Sequence, residues 1–190
     1  MLQFDTVPPL TETTSPAGFK DTNGDVYVVY KVDGNSKGDG SWTCGQSKKN
    51  PKPTPIMLQK LKSDWMTPDG DPKQILDRDG NDGPLIEAPS LNFKDGLYYL
   101  YFSSNCYSTK FYDTSYATAT NVAGPYTKAL KPDAPLLMTG NFGLFAPGGT
   151  DVSPDGAKIA FHADGNGKDS SSRPMWVASI NEGNKKVTIS

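Results

Sequence analysis

Three times along this chain the same order recurs: a proline, a Gly-containing turn with Asp or Asn five to eight residues later, and then an aromatic-rich strand. The copies read PAGFKDTNGDVYVVY from Pro16, PSLNFKDGLYYLYF from Pro89 and PGGTDVSPDGAKIAFH from Pro147. Asn23 with Gly24, Asp95 with Gly96 and Asp155 with Gly156 are pairs that tight hairpins favour, because both residue types tolerate a left-handed backbone. Each copy therefore opens with two antiparallel strands. A spacing of roughly sixty to seventy residues leaves room for two more strands and long loops, the content of one propeller blade. In a propeller the first strand of every blade lines one central channel, so equivalent residues of distant repeats converge on one mouth.

Aromatic and β-branched runs predict strands at 17–20, 26–31, 55–61 and 73–76, at 89–93, 97–103, 114–119 and 136–138, and at 150–153, 158–162, 175–180 and 186–189. Helices are hardly signalled, and loops rich in Gly, Asp, Asn, Ser or Lys fall at 33–53, 69–83 and 164–172. The fold class that follows is all-β, a partial β-propeller of about three four-stranded antiparallel blades. Residues 1–190 read as a single domain. Closed propellers have about four to eight blades, so three leave open faces and edges. The tidy final strand and abrupt beginning place the expected missing blade or blades at the N-terminus; association through open blade edges is the other route to completion.

Hydrophobic residues make up 35% of the chain, and its 19 Gly and 16 Pro suit a turn-rich all-β protein. A net charge of −2 with interspersed signs provides no basic stripe for nucleic acid. No apolar run reaches the length of a membrane span, and MLQFDTVPPLTE lacks the charged flank and apolar stretch of a signal peptide. Cys44 and Cys106 are too isolated for a zinc site; a bridge between blades and two free thiols both remain open. Asp77, Asp79 and Asn81 begin like a calcium loop, but Asp82 stands where Gly is required and Ala88 where Glu is required. The run from Asp21 fails similarly at Val26, so both are turn chemistry, and no metal or cofactor is expected.

The stretch LIEAPSLNFKDGLYYLYFSSN, with YDTSYATATNVAGPY, resembles the central blade of glycoside hydrolase family 43, five-bladed propeller enzymes acting on arabinan, arabinoxylan and related β-xylosides. SPAGFKDTNGDVYVVYKVDGN resembles the blade before it, and APGGTDVSPDGAKIAFHAD with RPMWVASI a later blade of fungal-type members. Glycoside hydrolysis generally uses two carboxyl groups flanking the scissile bond. The resemblance implies that Glu87 is the general acid. The repeat points to the same region, since residues just before Pro16, Pro89 and Pro147, among them Ser15, Glu87 and Phe145, should face the channel mouth.

Departures from the family pattern matter equally. The family's base, an Asp on the first blade, has no counterpart, and Asp5 does not stand in a matching motif. Ser15 occupies the place of the Asp that tunes the acid, and Gly149 that of a channel histidine. His162, the only histidine, and Arg173 are candidates to contact substrate, the latter by bracketing a sugar hydroxyl or pairing with Glu87. Trp176 reads as core, whereas Trp42, on a loop, is the favoured stacking platform. The resulting expectation is a truncated family 43-like protein for arabinan-, arabinoxylan- or xylan-type polysaccharides, extracellular by resemblance, with weak or no activity. The alternative is a non-catalytic carbohydrate-binding or interaction protein on the same scaffold.

Overall fold

The computed structural model describes residues 13–165 and 173–190. Three four-stranded antiparallel sheets follow one another along the chain, each ordered as in the sequence. The first contains β1 (Thr13–Lys20), β2 (Val26–Val32), β3 (Ile56–Leu61) and β4 (Lys73–Leu76). The second contains β5 (Ile86–Lys94), β6 (Leu97–Ser104), β7 (Asp113–Ala119) and β8 (Thr127–Lys128). β9 (Phe145–Val152), β10 (Lys158–Asp164), β11 (Met175–Gly183) and β12 (Lys186–Ile189) form the third. β1 packs against β5 and β5 against β9, so the first strands are the innermost. The chain folds as three blades of a propeller, and the only helical segments among the described residues are three 3-10 turns.

Alternation along the strands explains the packing. Tyr27 and Val29 of β2 point with Ile56 and Leu58 of β3 towards Leu91, Tyr98, Leu100 and Phe102 of the second sheet, forming one apolar layer. The opposite face of the second sheet, Tyr99, Tyr101 and Tyr116, packs with Ile159, Phe161 and Ile180 of the third. Polar side chains pin the layers: Tyr98 donates to Asp21 at 2.8 Å, and Tyr101 and Asn92 donate to Glu182, each at 2.6 Å. Asp95 and Gly96 both adopt positive φ, 49° and 80°, as a two-residue hairpin requires.

The first strands start earlier than the prolines suggest. Register shifts fall between Thr14 and Ala17 and between Glu87 and Ser90, so Ser15 with Pro16 and Ala88 with Pro89 bulge out of their ladders. A bulge accommodates a residue that lacks an N–H, which lets pairing resume upstream. The residue before each proline, Ser15, Ala88 and Ala146, has φ of 55°, 51° and 50°. The fourth strand of the second sheet is Thr127–Lys128, not 136–138: Thr127 and Lys128 pair with Thr118 and Ala117, while Leu137 makes one isolated bridge to Thr114 and plugs the core. Trp176 is not core; it is 39% exposed, with its indole N–H donating to the Ala163 carbonyl. Cys44 and Cys106 form a disulfide, settling the open alternative and tying the loop after β2 to the loop after β6.

Candidate active site

A cavity of about 550 Å³ opens where the inner strands meet, walled by Ser15 of β1, Glu87 and Ala88 of β5, Gly149 of β9, His162 of β10, Tyr107 and Tyr112 from the β6–β7 connection, and Arg173. Ser15, Ala88 and Gly149 also border an adjoining cavity of about 370 Å³ that reaches Asp151. Repeat geometry accounts for the convergence: Ser15 and Ala88 both precede a bulged proline, and Gly149 follows the third by two positions.

Glu87 is held by two donors. The Tyr112 hydroxyl donates to Oε1 at 2.9 Å, and the Lys31 ammonium donates to Oε2 at 3.3 Å. Lys31, only 2% exposed, also donates to Asp33 at 2.7 Å. Burial and then the neighbouring Glu87 charge push the Tyr112 hydroxyl far above its ordinary range, so it remains protonated and a donor.

Two consecutive glycines make room for the rings beside the cavity. A Cβ on Gly148 would lie 2.1 Å from the Tyr112 ring, and one on Gly149, where φ is +65°, would lie 2.2 Å from His162 Nε2. The Tyr112 and His162 rings stack with centroids 6.2 Å apart and planes 12° from parallel. Arg173 lies over Tyr112 at 5.2 Å and donates from Nε to His162 Nδ1 at 2.8 Å, from Nη2 to the Ala146 carbonyl at 2.8 Å and from Nη1 to the Tyr107 carbonyl at 3.2 Å. Burial, then the Arg173 charge, lowers the His162 pKa to about 4. Burial also lowers that of Arg173.

The fold thus brings Ser15, Glu87, His162 and Arg173 to one cavity. Phe145 is half-buried at the start of β9, opposite Asp164, and Trp42 is half-buried on the disulfide-tied loop; neither walls the cavity. Arg173 does not reach Glu87 as a salt-bridge partner, because the Tyr112 ring stands between them and its N–H groups are spent on His162 and carbonyls. Lys31, Tyr107 and Tyr112 escaped the sequence reading. A lysine at the end of VYVVYK, in phase with the inward-facing Tyr27 and Val29, was the available sign of a buried charge needing a partner.

Among the described residues Glu87 is the only carboxylate on the cavity wall. Asp33 is reached only through Lys31, and Asp151, in the adjoining cavity, accepts from Ser90 at 2.6 Å. No group of three or more His, Cys, Asp or Glu suited to a metal ion occurs among the described residues.

Comparison with known proteins matches this geometry to a family. The profile of Glycosyl hydrolases family 43 aligns with residues 13–175. The extracellular endo-alpha-(1->5)-L-arabinanase 1 of Bacillus subtilis is 33% identical over 105 residues, 51% of this chain and 32% of that protein. An endo-1,4-beta-xylanase from Bacteroides thetaiotaomicron superposes with a TM-score of 0.73 at 26% identity, covering 94% of this chain and 58% of its own. A thermostable family-43 glycoside hydrolase shares the fold with a TM-score of 0.74 at 22% identity, covering 93% of this chain and 57% of its own. The chain therefore spans about a third of the curated relative's length and under three fifths of those two structures. With a family profile running through nearly all of it, the chain belongs to glycosyl hydrolase family 43.

Proposed function

We propose that the cavity around Glu87 binds a sugar unit of an arabinan-, arabinoxylan- or xylan-type polysaccharide, with Glu87 in the position of the general acid and little or no turnover from this chain alone. The observation that supports this most is the lone carboxylate among the described residues: Glu87 faces the cavity, while the neighbouring described acids are engaged elsewhere. A glycosidase normally needs one carboxyl group to protonate the leaving oxygen and another to activate water or attack. With both Glu87 oxygens accepting protein hydrogen bonds, delivering a proton also requires exchanging one accepted bond for a donated one. Ser15, His162 and Arg173 shape the sugar pocket in this reading. Residues 1–190 act as one propeller-type unit, and the protein works outside the cell, where such polymers occur.

The second reading, a non-catalytic carbohydrate-binding protein, draws on the same lack of a second carboxylate on the cavity wall among the described residues. Hydrolysis of aryl arabinofuranosides and aryl xylosides by the native protein and by Glu87→Gln, measured beside calorimetric titration with arabinotriose and xylotriose, separates the two: residual turnover that Glu87→Gln removes belongs to the first reading, and binding with none belongs to the second. Because acid–base assistance is worth roughly a hundred- to ten-thousand-fold per group, the expected result is binding with turnover close to background. Turnover at ordinary glycosidase rates, abolished by Glu87→Gln, would overturn this and show that a base reaches the site. Absence of binding to either trisaccharide would remove the saccharide reading altogether.

A further inference from the structure

Among the described residues, the hydrogen bonds of the His162 ring run through Nδ1, and the donor there is Arg173. A guanidinium has N–H groups and no acceptor, so Nδ1 must present its lone pair. A neutral imidazole that accepts through Nδ1 carries its proton on Nε2. Nε2 is the ring atom nearest to where a Cβ on Gly149 would sit, and the lack of one leaves the imidazole room on the cavity wall that both residues line. Stacking on Tyr112 fixes the ring plane, and three further carbonyl bonds, to Tyr107, Ala146 and His162 itself, fix the guanidinium.

We infer that Arg173 is a positioning residue that locks His162 with its proton on Nε2, and that His162 is a fixed donor to an acceptor oxygen of a sugar in the cavity. This rests on the saccharide reading of the cavity given above. Protonating the ring would set an N–H of Nδ1 against those of Arg173, which agrees with the lowering of its pKa to about 4. The other titratable groups around the pair leave the lock intact: Tyr112 stays protonated, Glu87 lies beyond it, bound to its hydroxyl, and buried Asp164, two positions along β10, favours the charged form of Arg173 and so keeps the guanidinium a donor. One consequence concerns chemistry. With Nδ1 engaged and Nε2 protonated, His162 has no free lone pair and cannot serve as a general base.

The chain has one histidine, so nitrogen-15 spectra of the labelled protein contain one imidazole. Long-range proton–nitrogen correlation is expected to show the Nε2–H form, neutral from pH 5 to 8. Arg173→Met should mix the tautomers and return the titration towards the ordinary histidine value, and titration with xylotriose or arabinotriose should move the Nε2 signal of the native protein. His162→Phe should weaken binding of the same trisaccharide about tenfold, the scale of one hydrogen bond left unmade. An Nδ1–H tautomer, or titration near the ordinary value in the native protein, overturns the lock by Arg173 even where sugar binds. An unmoved Nε2 signal on demonstrable sugar binding overturns the donor role, and no binding of either trisaccharide overturns that role together with the saccharide reading. The tautomer measurement needs no variant, so it decides the lock even where Arg173→Met fails to fold.

Discussion

Lys31 and Glu87 meet across the junction of the first two sheets, Nζ to Oε2 at 3.3 Å, with Asp33 taking a second bond from the same ammonium at 2.7 Å. A cation with 2% exposure depends on those partners, and they on it. Removing one member of a buried ion pair typically costs about 3 kcal/mol or more, because the remaining charge is left desolvated. Lys31→Met is therefore expected to lower unfolding stability by about 3 kcal/mol in urea titrations. Adding Glu87→Gln to Lys31→Met should recover part of that loss; a single-variant loss below about 1 kcal/mol would show that the pair is solvated like a surface bridge.

The packing against Tyr112 should leave no room for a side chain at position 148. A Cβ there would meet Cε1 of Tyr112 at 2.1 Å, and Tyr112 is buried between Glu87 and His162. Overpacking of this kind costs about 1–3 kcal/mol, so Gly148→Ala should lower the melting temperature by several degrees. Combining it with Tyr112→Ala should cost less than the two losses added. Strict additivity of the two changes would contradict the contact.

Acid response contains two opposed parts. His162 has a folded pKa near 4 against an ordinary 6.5, so the unfolded chain binds more protons between those values. Its contribution is complete above about pH 6.5 and is lost as pH falls towards 4. Asp113 is the reverse: burial raises it from 3.8 to about 6 despite hydrogen bonds from Ser104 and Ser115. The folded state then binds more protons, and stability is lost as pH rises through that window. Asp113→Asn should thus gain on the native protein as pH goes from 4 to 7, whereas His162→Gln should lose. Melting curves at closely spaced pH values test both; parallel curves for native and variant proteins count against the assignments.

Cys44 and Cys106 are separated by 62 positions. In the chain-entropy account, closing a loop of that length is worth about 4 kcal/mol. Replacing both with Ser should lower stability by an amount of that order. The effect should concentrate near the cavity, because Tyr107 follows Cys106 directly and its carbonyl receives Arg173. Amide exchange in the β6–β7 connection should rise more than in β12. Uniform acceleration throughout the chain would argue against a local role.

Local chemistry made much of the fold readable. The pairs at Asn23, Asp95 and Asp155 placed three hairpins, and the alternating aromatic runs placed their second strands to within two residues. β8 escaped because two residues carry no period, and the first strands were cut short because a proline reads as a boundary unless a bulge absorbs it. Of the residues that wall the cavity, Glu87 is marked in the sequence by its motif and Ser15 by its place before a repeated proline. Lys31 and Tyr112 were missed because their roles depend on contacts 56 and 25 positions away along the chain. Separation along the sequence also said nothing about Cys44 and Cys106, which only the stacking of two blades brings together.

The cross-link has a mechanical consequence. It closes a covalent ring containing β3, β4, β5 and β6, with β1 and β2 leaving on one side and β7 to β12 on the other. Tension applied between the two ends of the chain has a covalent path through the sulfur bridge, so the backbone of the strand carrying Glu87 lies off that path. The third sheet is the one sheet of the three that lies wholly outside the ring, so a pulling force can peel it away as a unit while the ring itself stays closed.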